Sequence, residues 1–249
     1  MSDRERDPRG GAFFGRRKGH PLRPHQAALM ESLLPRLALD LGAPAPAPLD
    51  SLFAHAPGAI GLEIGFGGGE HLVAQAAALP LMGFIGCEPF VNGMAKALAL
   101  IETQGLTNIR LHFGDASDLL AWLPPAALAR IDLLYPDPWP KRRHWKRRFV
   151  QEARIAELAR VVRPGGVFRF ATDWPDYAAW TLERLMRSPF FSWTAERADD
   201  WRRPWREFTS TRYEAKAVQA GRAPCYLVFR RTAQPAMPLN CPSATADRG

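Results

Sequence analysis

The chain has 249 residues, of which 47% are hydrophobic and 23% are charged, a composition that is ordinary for a globular protein with a sizeable core. Its formal net charge of +8 favours an acidic partner such as nucleic acid, and no apolar run approaches the roughly 20 residues of a membrane span. The polar N-terminus does not fit a secretory signal, and three scattered cysteines without a His/Cys cluster predict neither disulfides nor a metal site, so we expect a cytoplasmic protein.

The first 48 residues are predicted to precede the main domain as an arm, a short helix and a linker. Residues 1–19 combine aromatic rings with arginines, a mixture found both in single-strand-binding arms and in solvated tails. Residues 24–39 have leucines at helical spacing. The alternating alanines and prolines of residues 43–48 form a stiff connector. We therefore expect the folded core to begin after it, in a domain that spans residues 49–232.

Short apolar strands alternate with helical patterns from residue 59 onward, and this alternation predicts a parallel, doubly wound α/β sheet with right-handed crossovers. These strands are expected at residues 59–64, 82–88, 108–115, 131–134 and 167–172.

The pattern changes after residue 190. Two further strands, at residues 191–196 and 225–231, flank a long basic and aromatic loop. We predict that they form an antiparallel hairpin at the edge of the sheet. Residues 233–249 are polar and contain prolines, so they are predicted to be a flexible tail.

A glycine-rich turn at residues 65–69 separates the first strand from the first helix. Glycines such as Gly65 and Gly67 let a ligand approach the backbone closely. The turn departs from the dinucleotide-binding fingerprint, because Glu70 occupies the third glycine position and brings a carboxylate to the helix N-terminus, where a pyrophosphate would bind. Glu63 adds another negative charge. We therefore predict a ligand with positive charge instead of a phosphate.

Acidic residues end four consecutive predicted strands, and they are Glu63, Glu88, Asp115 and Asp137. Ligands of parallel sheets bind beyond the carboxyl ends of the strands. Glu88 is suited to accept hydrogen bonds from ribose hydroxyls, and Asp115 from an adenine amino group. A ligand with adenine, free ribose hydroxyls, a cationic head and no phosphate is S-adenosylmethionine, and we predict that cofactor. For any single acid, a helix cap or a solvated loop end is the alternative.

The fourth strand leads into an acid between two prolines and then into a dense group of cations. Pro136 and Pro138 must end the strand, which leaves Asp137 in a loop at the sheet edge. Six cations then occur within the eight residues 141–148. Cations at a helix start oppose the macrodipole and repel one another, and a polyanion relieves both costs. A solvated helix start is the alternative.

Several segments carry a resemblance to a known family, and in chain order they are LEIGFGGGEHL, Glu88, NIRLHFGDA, LLYPDPWPKRRHWKRR, ATDWPDYAAW and TSTRYE. On these segments, residues 59–231 resemble the bacterial tRNA (guanine-N7)-methyltransferase family, and PDPWPKRRH is the most specific of them. The resemblance implies a Rossmann-like methyltransferase fold that uses S-adenosylmethionine. It also implies methyl transfer to N7 of a guanine in the variable loop of tRNA.

Site residues follow from the same resemblance. It implies cofactor contacts at Glu63, Glu88, Asp115 and Asp137. It implies guanine or tRNA contacts at Lys141, Asp173, Thr211, Arg212, Tyr213 and Glu214. It implies RNA contacts at Arg143, His144, Trp145, Lys146, Arg147 and Arg148. The segment that follows TRYE departs from the family, because it lacks the Arg-Gly pair and glycine-rich turn that members often carry.

The implied chemistry needs no base, because guanine N7 is an unprotonated lone pair at neutral pH. Catalysis then consists mainly of orientation and electrostatics. Positive charge moves from sulfur to the guanine ring, where Asp137, the candidate catalytic residue, or Asp173 would stabilise it. A carboxylate also accepts both N–H groups of guanine's Watson–Crick edge, and Asp173 and Glu214 are the candidates, with Thr211 as a hydroxyl partner. The alternatives are a helix cap for Asp173 and an exposed loop acid for Glu214.

Two other functions stay open on the sequence alone. One is a methyltransferase of another substrate, such as ribosomal RNA or a protein that docks on the basic segment. The other is an RNA-binding module whose methyltransferase fold is inactive, although the intact acids at the strand ends argue against it. The sequence leaves both a monomer and a homodimer open.

Overall fold

The computed structural model describes residue 17 and residues 19–235 of the chain. The rest of the predicted N-terminal arm and the predicted tail beyond residue 235 lie outside these described residues. A sheet of seven strands forms the centre of this part of the chain. In chain order they are β1 (Ala59–Ile64), β2 (Met82–Cys87), β3 (Ile109–His112), β4 (Leu128–Leu134), β5 (Val162–Thr172), β6 (Phe191–Trp193) and β7 (Cys225–Arg231).

Helices connect and cover these strands. They are α1 (Pro24–Ser32), α2 (Leu34–Leu37), α3 (Glu70–Ala78), α4 (Val91–Gln104), α5 (Ala116–Trp122), α6 (Glu152–Val161), α7 (Pro175–Arg187), α8 (Asp199–Arg202) and α9 (Arg212–Gln219), with 3₁₀ helices at Leu49–Leu52 and Arg142–Arg147. Among the described residues, no helix is both long enough and apolar enough to cross a bilayer.

The strand order confirms the predicted fold class. Across the sheet the order is β3-β2-β1-β4-β5-β7-β6, and the first five strands pair in parallel. β7 is antiparallel to both β5 and β6, so the predicted C-terminal hairpin lies at the edge of the sheet. The connections change direction between β1 and β4, and a ligand crevice is expected beyond the carboxyl ends of these two strands.

Apolar layers on both sides hold the sheet. One buried cluster includes Leu119 of α5, Leu158 of α6 and Leu185 of α7. A second cluster includes Leu72 of α3 and Leu98 of α4. Full burial of such a side chain stabilises the fold by about 1.5–3 kcal/mol, so the two layers fix the strand ends that carry the predicted site.

The N-terminal helices differ from the prediction that the core begins after residue 48. Leu29 of α1 and Leu37 of α2 are buried in the cluster that contains α3 and α4. Ala38 forms an isolated parallel β-bridge with Leu111, so this segment lies alongside the edge strand β3. Residues 24–39 are therefore part of the core, because their leucines cover apolar surface that α4 and β3 would otherwise expose.

The segment between β6 and β7 also differs from the prediction of a loop. It contains α8 and α9, and the TRYE motif forms the start of α9. β6 ends at Trp193, three residues earlier than predicted.

Candidate active site

The glycine turn after β1 adopts a backbone that side chains disfavour. Gly65, Gly67 and Gly69 have φ angles of 70°, 60° and 83°, in the left-handed region. Gly93 of α4 packs against this turn so closely that a Cβ atom there would collide with the carbonyl oxygen of Gly67. A Cβ on Gly65, in contrast, would meet no atom within 4 Å. The turn is thus packed against α4 at Gly67 and unobstructed at Gly65, which leaves room for a ligand to approach the backbone there.

Replacing Gly93 with alanine should disturb this support. We expect a destabilisation of about 1–3 kcal/mol, which is the usual cost of overpacking, with a lower unfolding temperature and weaker ligand binding at the turn. Thermal unfolding of Gly93→Ala measures the first effect. Gly58→Ala is the matched control, since a Cβ atom there meets no atom within 4 Å. Equal shifts in both variants would contradict the tight packing at Gly93.

Glu88 braces the turn from the end of β2. One carboxylate oxygen accepts a hydrogen bond from Gly67 N at 2.6 Å, and the other accepts one from Phe90 N at 2.9 Å. The side chain is buried, and burial raises the pKa of Glu88 although both backbone hydrogen bonds oppose the shift. The carboxylate therefore lies at the edge of the glycine turn in a fixed orientation.

Glu63 forms a buried pair with a residue that the sequence analysis did not select. Its Oε2 lies 2.8 Å from His71 Nδ1 of α3, and both side chains are buried. Burial raises the pKa of Glu63 despite the nearby imidazole. Burial alone would lower the pKa of His71, but the Glu63 carboxylate outweighs it, and the pKa of His71 is raised.

Asp115 is the N-cap of α5. Its Oδ1 accepts a hydrogen bond from Ser117 N at 2.7 Å, so the helix-cap alternative applies to this acid. The residue is only partly buried at the end of β3, next to the strand that carries Glu88.

Asp137 lies in a constrained loop beyond β4. Tyr135 and Trp139, on either side of it, have φ angles of 50° and 43°, which non-glycine residues rarely adopt. Asp137 itself is exposed, yet the surrounding loop partly removes water from its carboxyl group and raises its pKa. Backbone strain of this kind is common where a loop holds a functional group in place.

The basic segment, residues 141–148, is a 3₁₀ helix with flanking residues and not a regular α-helix. Four of its cations are exposed, and they are Lys141, Arg142, Arg143 and Lys146. His144 and Trp145 are partly buried. Arg147 is partly buried over the Trp139 ring, 4.9 Å from its centroid.

Arg148 lies where a surface RNA contact is not expected. It is 2% exposed, and its guanidinium group lies about 5 Å from the ring centroids of Trp145, Tyr177 and Trp180. Its Nε donates a hydrogen bond to the carbonyl oxygen of Pro138 at 2.9 Å. In this conformation Arg148 holds the Asp137 loop against α7, and its charge does not reach the surface.

The TRYE motif forms a capped helix start. Thr211 is the N-cap of α9, and its hydroxyl oxygen accepts a hydrogen bond from Glu214 N at 3.2 Å. Glu214 is buried and accepts a hydrogen bond from the Tyr226 hydroxyl, so the alternative of an exposed loop acid does not describe it. Tyr226, which the sequence analysis missed, is a polar-tipped residue in the apolar run of β7.

The start of α9 lies against the glycine turn. A Cβ atom on Gly67 would be 3.1 Å from Tyr213 Cε2 and 3.4 Å from Arg212 Nη2. Arg212 is also close enough to Glu88 for its charge to lower the pKa of that carboxyl group, against the larger effect of burial. The predicted cofactor turn and the predicted substrate motif are therefore neighbours.

Asp173, at the end of β5, pairs with Arg222. The Arg222 Nε lies 2.5 Å from Asp173 Oδ2, and the N-cap of α7 is Trp174, so Asp173 does not act as the cap. A cavity of about 290 Å³ opens beside this pair. Arg222 lies in the segment where the sequence departs from the family, so the family resemblance did not identify it as a site residue.

Known methyltransferases resemble this chain in sequence and in fold. Residues 58–227 match a family model described as "Putative methyltransferase". The crystal structure of TrmN from Thermus thermophilus shares the fold, with a TM-score of 0.50 and 18% identity over 70% of this chain and 44% of that chain. This protein thus has a Rossmann-like methyltransferase fold.

Closer relatives name the family. A tRNA (guanine-N(7)-)-methyltransferase of Nitrobacter hamburgensis is 65% identical over 221 residues, which cover 89% of this chain and 87% of the relative. A protein of the same name from Bradyrhizobium diazoefficiens is 60% identical over 231 residues, covering 93% of this chain and 98% of the relative. The chain belongs to the tRNA (guanine-N7)-methyltransferase family, which confirms the resemblance drawn from its motifs.

Proposed function

We propose that this protein transfers the methyl group of S-adenosylmethionine to N7 of a guanine in the variable loop of tRNA. One observation carries the proposal most directly. The glycine turn braced by Glu88 is in contact with the start of α9, which carries Arg212 and Tyr213. A cofactor seated on the turn would therefore be bordered by the motif that the family resemblance assigns to guanine or tRNA.

The residues around the turn fit S-adenosylmethionine. Glu88 at the edge of the turn and Glu70 at the start of α3 place carboxylates beside the crevice, whereas the carboxylate of Glu63 is paired with His71 beneath it. That charge suits a sulfonium and an amino group and disfavours a phosphate. Glu88 would hold the ribose hydroxyls, and Asp115 the adenine amino group. When bound, the cofactor supplies an electrophilic methyl group.

Guanine would be held between the C-terminal end of β5 and the N-terminal start of α9. Asp173 and Glu214 are the candidate acceptors for its Watson–Crick edge, with Lys141 and Thr211 as polar partners. Asp173 pairs with Arg222, so this ion pair must open or share the carboxylate when the base enters. Asp137 would stabilise the positive charge that develops on the guanine ring. Orientation of N7 toward the methyl group supplies the remainder of the effect.

The tRNA backbone would lie along the exposed cations of the basic segment, namely Lys141, Arg142, Arg143 and Lys146. His144, Trp145 and Arg147 are partly buried next to them and would contribute at the edge of that surface. Arg148 is not expected to contact RNA, because its guanidinium group is enclosed by aromatic rings.

Labelled methyl transfer tests the function. The protein is incubated with S-adenosylmethionine labelled in the methyl group and with unmodified tRNA, and the tRNA is then digested to nucleosides. We expect the label in 7-methylguanosine. Label in a different nucleoside, or in ribosomal RNA alone, would favour a methyltransferase of another substrate. Cofactor binding without any transfer to RNA would favour an inactive RNA-binding module.

Replacing Glu88 with glutamine should separate cofactor binding from tRNA binding. The variant loses a charged acceptor for the ribose and for Gly67 N, and hydrogen bonds to charged groups contribute about 1.5–3 kcal/mol. We expect cofactor affinity to fall about tenfold or more in a calorimetric titration, with unchanged tRNA affinity in filter binding. Glu31→Gln, an exposed acid of α1, serves as the control. Unchanged cofactor affinity in Glu88→Gln would contradict the proposed role.

A further inference from the structure

A buried polar cluster lies beneath the candidate site, and its members are Glu63, His71, Gln75, Arg130 and Asp132. Glu63 and Asp132 are register partners on β1 and β4. Arg130 Nε lies 2.9 Å from Asp132 Oδ2, and Arg130 Nη2 donates a hydrogen bond to Gln75 Oε1 at 3.0 Å. Together with the Glu63–His71 pair, these contacts link the two central strands to α3.

Burial of so many charged and polar groups carries a large desolvation cost, which apolar residues of similar size would avoid. The pairing inside the cluster offsets that cost only in part. Asp132 Oδ1 and His71 Nε2 are buried and have no hydrogen-bond partner among the described residues. Fold stability alone therefore does not explain why the cluster is polar.

A surface segment rests directly on the cluster. Residues 203–210, which we call the approach loop, connect α8 to α9 and end immediately before Thr211. Trp205 and Phe208 of this loop cover the apolar residues Leu134 and Ala171 at the ends of β4 and β5.

Polar contacts join the approach loop to the cluster and to β5. Gln75 Nε2 donates a hydrogen bond to the carbonyl oxygen of Glu207 at 2.5 Å. The rings of His71 and Phe208 lie 5.5 Å apart. Arg169 of β5 lies 3.7 Å from the Glu207 carboxylate and 5.0 Å from the centroid of Trp205. Gln75 is therefore bonded to Arg130 through its amide oxygen and to the approach loop through its amide nitrogen.

We propose that Gln75 is a positioning residue for substrate recognition, because it fixes the approach loop that sets α9 over the glycine turn. The inference rests on the proposed function, since it assumes that α9 contacts guanine or tRNA. Gln75 does not contact the turn itself, so its loss should affect the substrate side of the site more than the cofactor side. The alternative is that Gln75 is an ordinary core residue whose replacement lowers the stability of the whole fold.

Two replacements of Gln75 distinguish these roles. Gln75→Met has a similar size and loses both hydrogen bonds. Gln75→Glu keeps an acceptor for Arg130, but its carboxylate faces the Glu207 carbonyl oxygen and cannot donate to it. If anchoring of the loop matters, both variants should be impaired to a similar degree. Thr181→Val is the control for removal of a buried polar group, because Thr181 Oγ1 is buried in α7 and has no partner in the described part of the chain.

The test combines steady-state kinetics, cofactor titration and hydrogen exchange. For both Gln75 variants we expect the KM for tRNA to rise about five- to tenfold, as for the loss of one buried hydrogen bond, with affinity for S-adenosylmethionine changed less than twofold. Amide exchange over residues 204–214 should accelerate while exchange in β1 and β4 stays unchanged. The Thr181→Val variant should match the unaltered protein in all three measurements.

Three outcomes would overturn the proposal. The first is a KM for tRNA within twofold of that of the unaltered protein in both Gln75 variants. The second is unchanged amide exchange over residues 204–214. The third is a loss of affinity for S-adenosylmethionine as large as the rise in the KM for tRNA. The exchange experiment needs no methyl transfer. If the protein failed to methylate tRNA at all, the proposed function would fail while the anchoring of the approach loop by Gln75 would still be tested.

Discussion

The Asp137→Asn variant is expected to lose methyl transfer by a factor of about a hundred or more while it still binds tRNA. Asparagine keeps the size of the side chain and removes only the charge. Positive charge moves onto the guanine ring during the reaction, and loss of one fixed electrostatic group in an active site commonly costs 10²–10³ in rate. The hydrogen bond from Arg148 to the carbonyl oxygen of Pro138 holds the loop around Asp137 in place. A neighbouring group therefore cannot easily move in to replace the lost charge.

Single-turnover rates with saturating cofactor and tRNA measure this effect, and filter binding measures the retained affinity for tRNA. Asp199→Asn, an exposed acid of α8, is the matched control and should leave the rate unchanged. Full activity of Asp137→Asn would show that the carboxylate has no part in the reaction. A variant that lost tRNA binding as well would assign Asp137 to RNA recognition instead of chemistry.

Removing three exposed cations of the basic segment should give the second large effect. In the variant with Arg142, Arg143 and Lys146 changed to alanine, we expect tRNA affinity to fall about tenfold or more at moderate salt. Each lost phosphate contact should also lower the slope of log affinity against log salt by about 0.7–0.9, so the triple variant should lose about two to three units of slope. Cofactor affinity should not change, because these side chains are exposed to solvent and are not among the residues that lie against the glycine turn.

A control with the same change in net charge isolates the role of the segment. Arg36, Arg163 and Arg187 are exposed and lie on α2, on β5 near its start and at the end of α7. Their triple alanine variant should bind tRNA with nearly the original affinity and slope. If both triple variants weakened binding equally, the effect would come from total charge, and the basic segment would not be the docking surface.

Local patterns were sufficient to predict the sheet and the acids at its edge. Strand and helix alternate with clear periodicity from Ala59 to Thr172, and parallel strands necessarily bring their carboxyl ends to one edge. Glu63 and Glu88 therefore had to end close to the glycine turn. The left-handed backbone of Gly67 is likewise a local property of the turn.

Long-range packing decided what the sequence analysis missed. Arg148 belongs to an unbroken run of cations, and only its contact with Tyr177 and Trp180 on α7 shows that it is enclosed. Gln75 reads as an ordinary helix residue until Glu207, which is 132 positions later, packs on it. One signal was available, because His71 and Gln75 are polar residues four positions apart, which places them on one face of a helix that otherwise buries apolar residues such as Leu72.

Methyl transfer to N7 can be tested by replacing that attacking atom itself. A tRNA is prepared in which only the variable-loop guanosine is 7-deazaguanosine, which has a carbon in place of N7 and an intact Watson–Crick edge. We expect this tRNA to bind with normal affinity and to inhibit competitively, yet to receive no methyl group. Transfer of label to the substituted tRNA at the normal rate would contradict it, because the methyl group would then be going to another atom.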